Sequence, residues 1–252
     1  MGRALEGKSI IVTGAGSGIG RATSEIMAQR GARVMVADIN VDGAKETVAR
    51  IERAGGKAHF ARCDVSQEEE VEKLVAEVAS TYGKLDGAFN NAGVPPAFKV
   101  LHELSREQFD RCINVNLAGV FLCMKHQIAA MLRTGGGSIV NTASVAGVVG
   151  LPVHAEYIAS KHGVIGLTKA AAIEYGRHNI RVNAVLPGGV RTPMITTPPN
   201  ADEAIAQSSV MHPIGRIGEP VEIGEAAAWL LSDAASFVTG ASLSVDGGFT
   251  AH

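Results

Sequence analysis

The chain has 252 residues, of which 46% are hydrophobic and 19% charged, a composition typical of folded rather than disordered proteins. Its 23 Lys and Arg and 25 Asp and Glu residues give a formal net charge of −2, and no block of like charge favours nucleic acid or an anionic membrane as partner. The first residues are too polar for a signal peptide, and no apolar run approaches a membrane span of roughly 18 residues. We therefore expect a cytoplasmic protein.

The glycine and cysteine residues further restrict the kind of protein that the sequence can encode. The 30 glycines exceed the usual share of about 7% and follow no repeating period, which indicates tight turns and close backbone approaches. Cys63, Cys112 and Cys123 are far apart and lack metal-ligand spacing. We expect them to be buried and reduced, and we expect no bound metal.

In chain order, short apolar strands alternate with helices. The predicted strands are 9–13, 33–37, 58–61, 87–90, 138–142, 180–186 and 242–245, and the predicted helices are 19–30, 41–54, 68–82, 106–133, 155–175 and 223–231. This alternation predicts an α/β protein with a doubly wound parallel sheet and helices on both faces. No linker divides the chain, so one domain over residues 1–252 is expected.

One stretch departs from the alternation. Five of the nine prolines lie between Pro193 and Pro220, where the strand and helix patterns lapse. We expect residues from about 188 to 219 to form a mobile flap over a binding site.

A glycine-rich turn follows the first predicted strand. Thr13-Gly14-Ala15-Gly16-Ser17-Gly18-Ile19-Gly20 leads directly into a helix, whose N-terminus attracts negative charge. Glycines at such a turn let the backbone contact a pyrophosphate, so the segment favours a dinucleotide site. A tight turn with no ligand is the alternative interpretation.

The acid at the end of the second strand indicates which dinucleotide. Asp38 comes 18 residues after Gly20, near the spacing of about 20 at which a carboxylate binds the ribose hydroxyls of NAD. Ser17 and Ile39, where a basic residue could pair with the extra phosphate of NADP, are uncharged. The pattern favours NAD, and a solvated acid at a strand end is the alternative.

Tyr157 and Lys161 carry the candidate chemistry. Four residues apart on a predicted helix, their side chains share one face, and Ser144 follows a predicted strand at the edge where such sheets bind ligands. An ammonium close to a phenol favours the phenolate, so we expect Lys161 to lower the pKa of Tyr157 towards neutrality, where acid–base catalysis is efficient.

In combination, these motifs resemble those of the short-chain dehydrogenase/reductase family from about Lys8 to the end of the chain. The matching motifs are Thr13-Gly14-x-x-x-Gly18-x-Gly20, Asn90-Asn91-Ala92-Gly93, Asn116, Ser144, Tyr157-x-x-x-Lys161 and Pro187-Gly188. The resemblance implies a Rossmann-type fold and a nicotinamide-dependent oxidoreductase.

The resemblance also assigns the catalytic roles. It implies that Tyr157 is the general acid/base, that Ser144 hydrogen-bonds the substrate oxygen and that Lys161 binds the nicotinamide ribose. Asn116, rather than its neighbour Asn114, would hold a proton-relay water. The alternatives are that Ser144 merely caps a loop and that Asn116 is a buried helical asparagine.

The cofactor contacts that the resemblance implies extend along most of the chain. Asn90 would line the ribose, Asp64 and Val65 would meet the adenine, and Val190 and Thr192 would contact the carboxamide. The full expected set is Gly14, Ser17, Gly18, Ile19, Asp38, Asp64, Val65, Asn90, Ala92, Gly93, Tyr157, Lys161, Pro187, Gly188, Val190 and Thr192.

Several stretches, such as 121–125, 141–144 and 234–240, are similar to bacterial dehydrogenases of cyclic alcohols and diols, the dichlorocyclohexadiene-diol dehydrogenases among them. An apolar pocket is expected from Val145, Val149, Pro187, Met194 and Met211, flanked by His154 and Glu156.

A 3-oxoacyl-acyl-carrier-protein reductase is the alternative enzyme, although Asp38 and the charge balance disfavour it. A catalytically silent NAD-binding regulator is the alternative outside enzymes. The C-terminal segment 243–249 resembles the family's ending, which implies a homotetramer.

Overall fold

Seven parallel strands form the single sheet of the computed structural model, which describes residues 3–251. The strands lie in the order β3-β2-β1-β4-β5-β6-β7. They are β1 Ser9–Thr13, β2 Arg33–Asp38, β3 Lys57–Arg62, β4 Gly87–Asn90, β5 Gly137–Thr142, β6 Ile180–Pro187 and β7 Ser242–Val245. The predicted doubly wound α/β sheet is confirmed, with strand ends within one residue of those expected.

Helices cover both faces of the sheet. They are α1 Gly18–Gln29, α2 Val41–Arg53, α3 Glu68–Tyr82, α4 Arg106–Ile113, α5 Gly119–Thr134, α6 Ala155–Tyr175, α7 Pro193–Thr196, α8 Ala201–Met211 and α9 Pro220–Leu231. Successive strand residues point to opposite faces, so Ile11 packs with α3, α5 and α6, whereas Ile10 and Val12 pack with α1, α2 and α9. Two cores therefore share one sheet, and its inner strands are buried on both sides.

The predicted helix 106–133 is interrupted by a π-helical turn, Asn114–Ala118, between α4 and α5. Such wide turns recur at functional sites. The helical stretch Arg106–Thr134, the π-helical turn included, contains an 18-residue window with a mean hydropathy of 1.4. By length and composition alone this stretch could cross a membrane, which corrects the expectation that no apolar run approaches that length. Half of that window is buried within the fold, as in a core helix.

The proline-rich segment contains two helices that the sequence pattern did not predict. Pro193 occupies the first turn of α7, a position that proline favours. Helix α8 has no buried residue, so it lacks the apolar stripe from which helices are predicted.

Candidate active site

The strand order reverses between β1 and β4, and open parallel sheets bind ligands outside the carboxyl ends of their strands at such a point. Side chains join the two strand ends here. The Thr13 hydroxyl accepts hydrogen bonds from the backbone N–H groups of Asn91 (3.0 Å) and Ala92 (3.1 Å). Asn91 Nδ2 donates to the carbonyls of Thr13 and Gly14. These bonds hold the glycine turn against the end of β4.

The glycine turn is shaped by close backbone contacts. Gly14 and Gly18 have φ values of 63° and 51°, which favour glycine. A Cβ on Gly14 would lie 2.8 Å from Ala92 Cα, and one on Gly20 would lie 2.1 Å from the Gly14 carbonyl oxygen. Ser17 makes no side-chain capping bond, and the first turn of α1 has no acidic residue. The N–H groups at this helix end are thus available to an anion, and the turn fits a pyrophosphate.

Asp38 lies beside this turn at the end of β2. Its Oδ2 accepts a 2.7 Å hydrogen bond from the Gly16 N–H, and its Oδ1 accepts one of 2.7 Å from the Asn40 N–H. A Cβ on Gly16 would lie 2.9 Å from Asp38 Oδ2. The negative charge is therefore held next to the bend of the turn.

Arg21 is a cation near the turn that no sequence motif singled out. Its guanidinium donates to the Gly16 carbonyl and, at 3.2 Å, to the Gly43 carbonyl, and its Nε donates to the Thr47 hydroxyl at 3.0 Å. These contacts tie the turn to α2. The guanidinium of Arg21 thus binds groups of the protein itself. The position of Arg21 in the first turn of α1 could have indicated from the sequence that a basic group lies here.

Two residues expected to contact the nucleoside, Asn90 and Val65, have side chains that make contacts within the protein core. The amide of Asn90 exchanges hydrogen bonds of 3.0 and 2.8 Å with Gln127 and donates to Asn141 at 3.0 Å. Val65 is buried against Gly119, where a Cβ would lie 2.7 Å from Val65 Cγ2. The side chains of both residues are therefore occupied within the core, and their expected contacts with the ribose and the adenine stay predictions.

Asp64 follows β3 at the same edge of the sheet. Its Oδ1 accepts hydrogen bonds from the Ser66 N–H (3.0 Å) and hydroxyl (2.7 Å). The carboxylate thereby stabilises its own turn and leaves Oδ2 as the oxygen open to another partner.

Asn116 lies within the π-helical turn and is fully buried, whereas Asn114 is exposed. Asn116 Oδ1 accepts from the Val94 N–H at 2.8 Å, and its Nδ2 donates to the Val94 carbonyl at 3.0 Å. A Cβ on Gly93 would lie 3.2 Å from Asn116 Oδ1. The side chain of Asn116 therefore holds the segment that follows β4.

The structure brings Ser144, Tyr157 and Lys161 together. Ser144 follows β5, and the other two residues lie in the first two turns of α6. The Ser144 hydroxyl accepts a 3.2 Å hydrogen bond from the Ala146 N–H and interacts with the Tyr157 phenol. Lys161 Nζ lies 5.5 Å from the centre of the Tyr157 ring and donates to the Thr142 carbonyl at 2.8 Å. A hydroxyl, a phenol and an amine thus share the carboxyl edge of the sheet.

The expected lowering of the tyrosine pKa is not observed. Burial raises the pKa of the Tyr157 hydroxyl to about 12, and the Ser144 hydrogen bond opposes that rise. Burial also lowers the pKa of the Lys161 ammonium to about 8. Both shifts have one cause, because removing water disfavours a phenolate and an ammonium alike.

The loop after β6 approaches the glycine turn. A Cβ on Gly18 would lie 3.1 Å from Thr192 Cγ2, and Val190 is buried. The Gly189 N–H donates to His212 Nε2 at 3.0 Å, a contact that no sequence motif indicated. Gly18 of the glycine turn and the expected carboxamide contact Thr192 are therefore neighbours.

The expected pocket residues have different environments. Val145 is buried, whereas Met194 and Met211 are 42% and 50% exposed. Glu156 is fully buried, and its Oε1 accepts a 2.5 Å hydrogen bond from the Ala97 N–H. Glu156 therefore anchors the loop after β4, a role that sequence spacing does not indicate.

The three cysteines are buried and free, as expected. Burial raises the pKa of the Cys63 thiol to about 12, which makes it unreactive. Within residues 3–251, no group of three or more His, Cys, Asp or Glu side chains is placed to hold a metal ion.

Comparison with known proteins identifies the family. A family model described as enoyl-(acyl carrier protein) reductase matches residues 14–250. A 2,5-dichloro-2,5-cyclohexadiene-1,4-diol dehydrogenase of Sphingobium indicum is 56% identical over 249 residues, 98% of each chain. A cyclohexanol dehydrogenase of an Acinetobacter species is 45% identical over 250 residues, 99% of this chain and 98% of that one.

The crystal structure of a levodione reductase superimposes with a TM-score of 0.95 at 37% identity, over 98% of each chain. Motifs, fold and relatives agree over nearly the whole length. The chain belongs to the short-chain dehydrogenase/reductase family and is an alcohol dehydrogenase or ketone reductase that uses a nicotinamide cofactor.

Proposed function

We propose that the chain is an NAD-dependent oxidoreductase that interconverts a hydrophobic cyclic secondary alcohol or diol and its ketone. The observation that carries this proposal is the grouping of Ser144, Tyr157 and Lys161 beside a glycine turn that ends against Asp38. The ring-containing substrates named for the relatives support the choice of a cyclic alcohol.

In this mechanism, Ser144 binds the substrate oxygen and Tyr157 exchanges a proton with it. During oxidation, the alcohol's hydroxyl proton moves to the Tyr157 phenolate while the carbon–hydrogen bond breaks and its electron pair leaves with the hydrogen. The bound nicotinamide supplies the hydride acceptor for oxidation and the hydride donor for reduction. During reduction, Tyr157 returns its proton to the ketone oxygen.

The pKa of about 12 for Tyr157 has a direct consequence for each direction. At neutral pH the hydroxyl is protonated, as ketone reduction requires. Oxidation requires the phenolate, whose fraction is small at neutral pH, rises with pH and reaches one half at that pKa. The charge of Lys161, whose Nζ lies 5.5 Å from the ring centre, favours the phenolate only below the lysine pKa of about 8, and not at the higher pH where most of the phenolate forms.

Asn116 contributes to this mechanism through its position. Because its side chain is bonded to Val94, we place the proposed relay water at its backbone carbonyl in the π-helical turn. Protons from Tyr157 would pass along Lys161 towards this water.

The first test measures initial rates with NAD or NADP on a panel of cyclic and linear secondary alcohols and diols between pH 7 and pH 10. We expect turnover with NAD on cyclic alcohols, and we expect the rate to rise with pH.

Tyr157→Phe should lower kcat by about 10³-fold, since general acid–base groups contribute about 10²–10⁴-fold, and the variant should still bind NADH.

Three outcomes would contradict the proposal. Unchanged turnover in Tyr157→Phe would remove its acid–base role. Tight NADH binding without turnover across the panel would favour the silent regulator. Activity on 3-oxoacyl thioesters with NADPH alone would favour the acyl-carrier reductase.

The charge of Asp38 is expected to select NAD. Asp38→Asn removes the charge that repels a phosphate, and its single side-chain oxygen can accept from the Gly16 or the Asn40 N–H group but not from both. The ratio of kcat/KM for NAD to that for NADP should fall by at least tenfold, mainly through the KM for NADP. Asp42→Asn, an exposed acid in the first turn of α2, is the control. An unchanged ratio of kcat/KM for NAD to that for NADP in Asp38→Asn would contradict the argument for NAD.

We expect Lys161 to lower the stability of the folded protein at neutral pH while supporting its activity. Its pKa falls from 10.5 to about 8, which corresponds to about 3 kcal/mol of lost stability at pH 7, where the folded protein carries the buried charge. Lys161→Met also loses the bond to Thr142, worth about 1 kcal/mol. The variant should therefore be about 2 kcal/mol more stable at pH 7 and at least 10²-fold less active.

Urea unfolding at several pH values tests this expectation. Between pH 8 and 10.5 the unfolded chain binds a proton at this lysine that the folded protein has released, so wild-type stability should rise with pH and the gap should close. Lys169→Met, exposed on the same helix, should show no such dependence. A Lys161→Met protein that is less stable than wild type at every pH would contradict the analysis.

We further propose that the enzyme is a cytoplasmic homotetramer. Large apolar side chains are exposed on α4, α5 and α6, namely Phe109, Phe121, Leu132 and Ile173, and Phe237 is fully exposed near the C-terminal strand. Exposed apolar groups of this size favour association. Light scattering at micromolar protein should give four times the 26.1 kDa chain mass, and a monomer mass would refute the tetramer.

A further inference from the structure

One buried histidine joins three parts of the site. His212 directly follows α8 and is 3% exposed. Its Nδ1 lies 2.6 Å from the Ser208 carbonyl oxygen, and its Nε2 accepts the hydrogen bond from the Gly189 N–H at 3.0 Å. The first contact requires a hydrogen on Nδ1, and the second requires a lone pair on Nε2. Together they select the neutral imidazole with its hydrogen on Nδ1.

The glycines after β6 make room for this ring. A Cβ on Gly188 would lie 2.4 Å from His212 Nε2, and a Cβ on Gly189 would lie 3.2 Å from His212 Cε1. On its other side, the imidazole contacts the Phe249 ring at a centroid distance of 5.3 Å. The ring is thus enclosed between the loop after β6 and the C-terminal turn.

The chain near His212 strengthens this junction. The Ile214 N–H donates to the Gly247 carbonyl at 3.2 Å. Asp246 orders the C-terminal turn by accepting from the N–H groups of Gly248 and Thr250, both at 3.0 Å. The end of the flap is therefore attached to the C-terminal turn by the backbone and to Gly189 by the imidazole.

The Gly189 amide is the point at which this junction can act on the cofactor. The loop continues from Gly189 through buried Val190, whose neighbour Arg191 donates its N–H to the Gly218 carbonyl at 2.9 Å. It then reaches Thr192 beside Gly18 of the glycine turn. A shift at Gly189 would move the segment that faces the nicotinamide end of the proposed site.

We propose that His212 is a positioning residue for the cofactor: through Nε2 it holds the Gly189 amide and so places the loop 188–192 at the nicotinamide. The inference rests on the proposed function, because it assumes that this loop contacts the nicotinamide. His212 touches neither the substrate oxygen nor the reacting carbon in this scheme, so it acts on cofactor binding before it acts on chemistry.

Two substitutions separate positioning from packing. In His212→Gln, the side-chain oxygen can reach the place of Nε2 and accept from the Gly189 N–H. In His212→Asn, the shorter amide can donate to the Ser208 carbonyl but leaves the Gly189 N–H without its acceptor. A buried donor left unpaired costs about 1–3 kcal/mol, which is roughly 5- to 150-fold in a binding constant.

NADH binding by fluorescence titration and steady-state kinetics with NAD are the measurements. We expect His212→Asn to raise the Kd for NADH and the KM for NAD about tenfold, with a smaller change in kcat, and His212→Gln to stay within about threefold of wild type. His178→Asn and His178→Gln, exposed beyond the C-terminal end of α6, are the matched controls. Thermal unfolding of every variant reports the contribution of packing.

Equal effects of the Asn and Gln substitutions on NADH affinity, or effects that follow the loss of thermal stability, would overturn the proposal. The ring tautomer gives a second test that needs no substitution. Nitrogen-15 NMR of the wild-type protein should show the hydrogen of His212 on Nδ1, and a hydrogen on Nε2 would also overturn it.

These results are distinguishable from a failure of the proposed function. Wild-type protein that binds NADH but oxidises no alcohol in the panel would contradict the proposed function. The comparison of NADH affinity between the two His212 variants would remain valid in that case.

Discussion

The parallel pairing of β1 with β4 is the constraint on which the rest of the site depends. Parallel strands place their carboxyl ends at one edge of the sheet, and the reversal of strand order at this pair opens a crevice there. The bonds between Thr13 and Asn91 hold both sides of the crevice together. The glycine turn, Asp38, Ser144 and the first turns of α6 all lie at this edge because their strands end there.

The exclusion of water from this edge of the sheet favours proton transfer but lowers the stability of the folded protein. Burial raises the pKa of Tyr157 and lowers that of Lys161, so each group is kept in its neutral form over a wider pH range. A neutral phenol close to a titratable amine is suited to proton transfer in either direction. The same burial leaves a charged lysine poorly solvated, which costs stability that a packing residue would not lose.

Polar side chains beneath the surface hold the backbone segments that a cofactor would contact. Asn116 binds the segment after β4, Glu156 binds the loop that follows it, and Arg21 binds the glycine turn. His212 has the same relation to the loop after β6. In each case a side chain from another element pairs with a main-chain group, which is how buried backbone groups outside helices and strands are commonly satisfied.

The sequence by itself determined the alternation of strands and helices, the single sheet, the glycine turn with Asp38 and the grouping of Ser144, Tyr157 and Lys161. These features rest on local spacing, because apolar periodicity, glycine positions and residues four apart on a helix are all visible along the chain. The family resemblance added roles to these residues and supplied others, such as Asn116, Asn90 and Asp64, that spacing alone had not indicated.

Only the tertiary structure decided how those groups are solvated and what holds them. The direction of the Tyr157 pKa shift depends on how much water the surrounding fold excludes, and the use of Asn90 and Val65 side chains in the core depends on Gln127 and Gly119 from another helix. His212 meets Gly189 from 23 residues away, and α8 has no apolar stripe to reveal it. Contacts between residues distant in sequence leave no periodic pattern, so packing alone determines them.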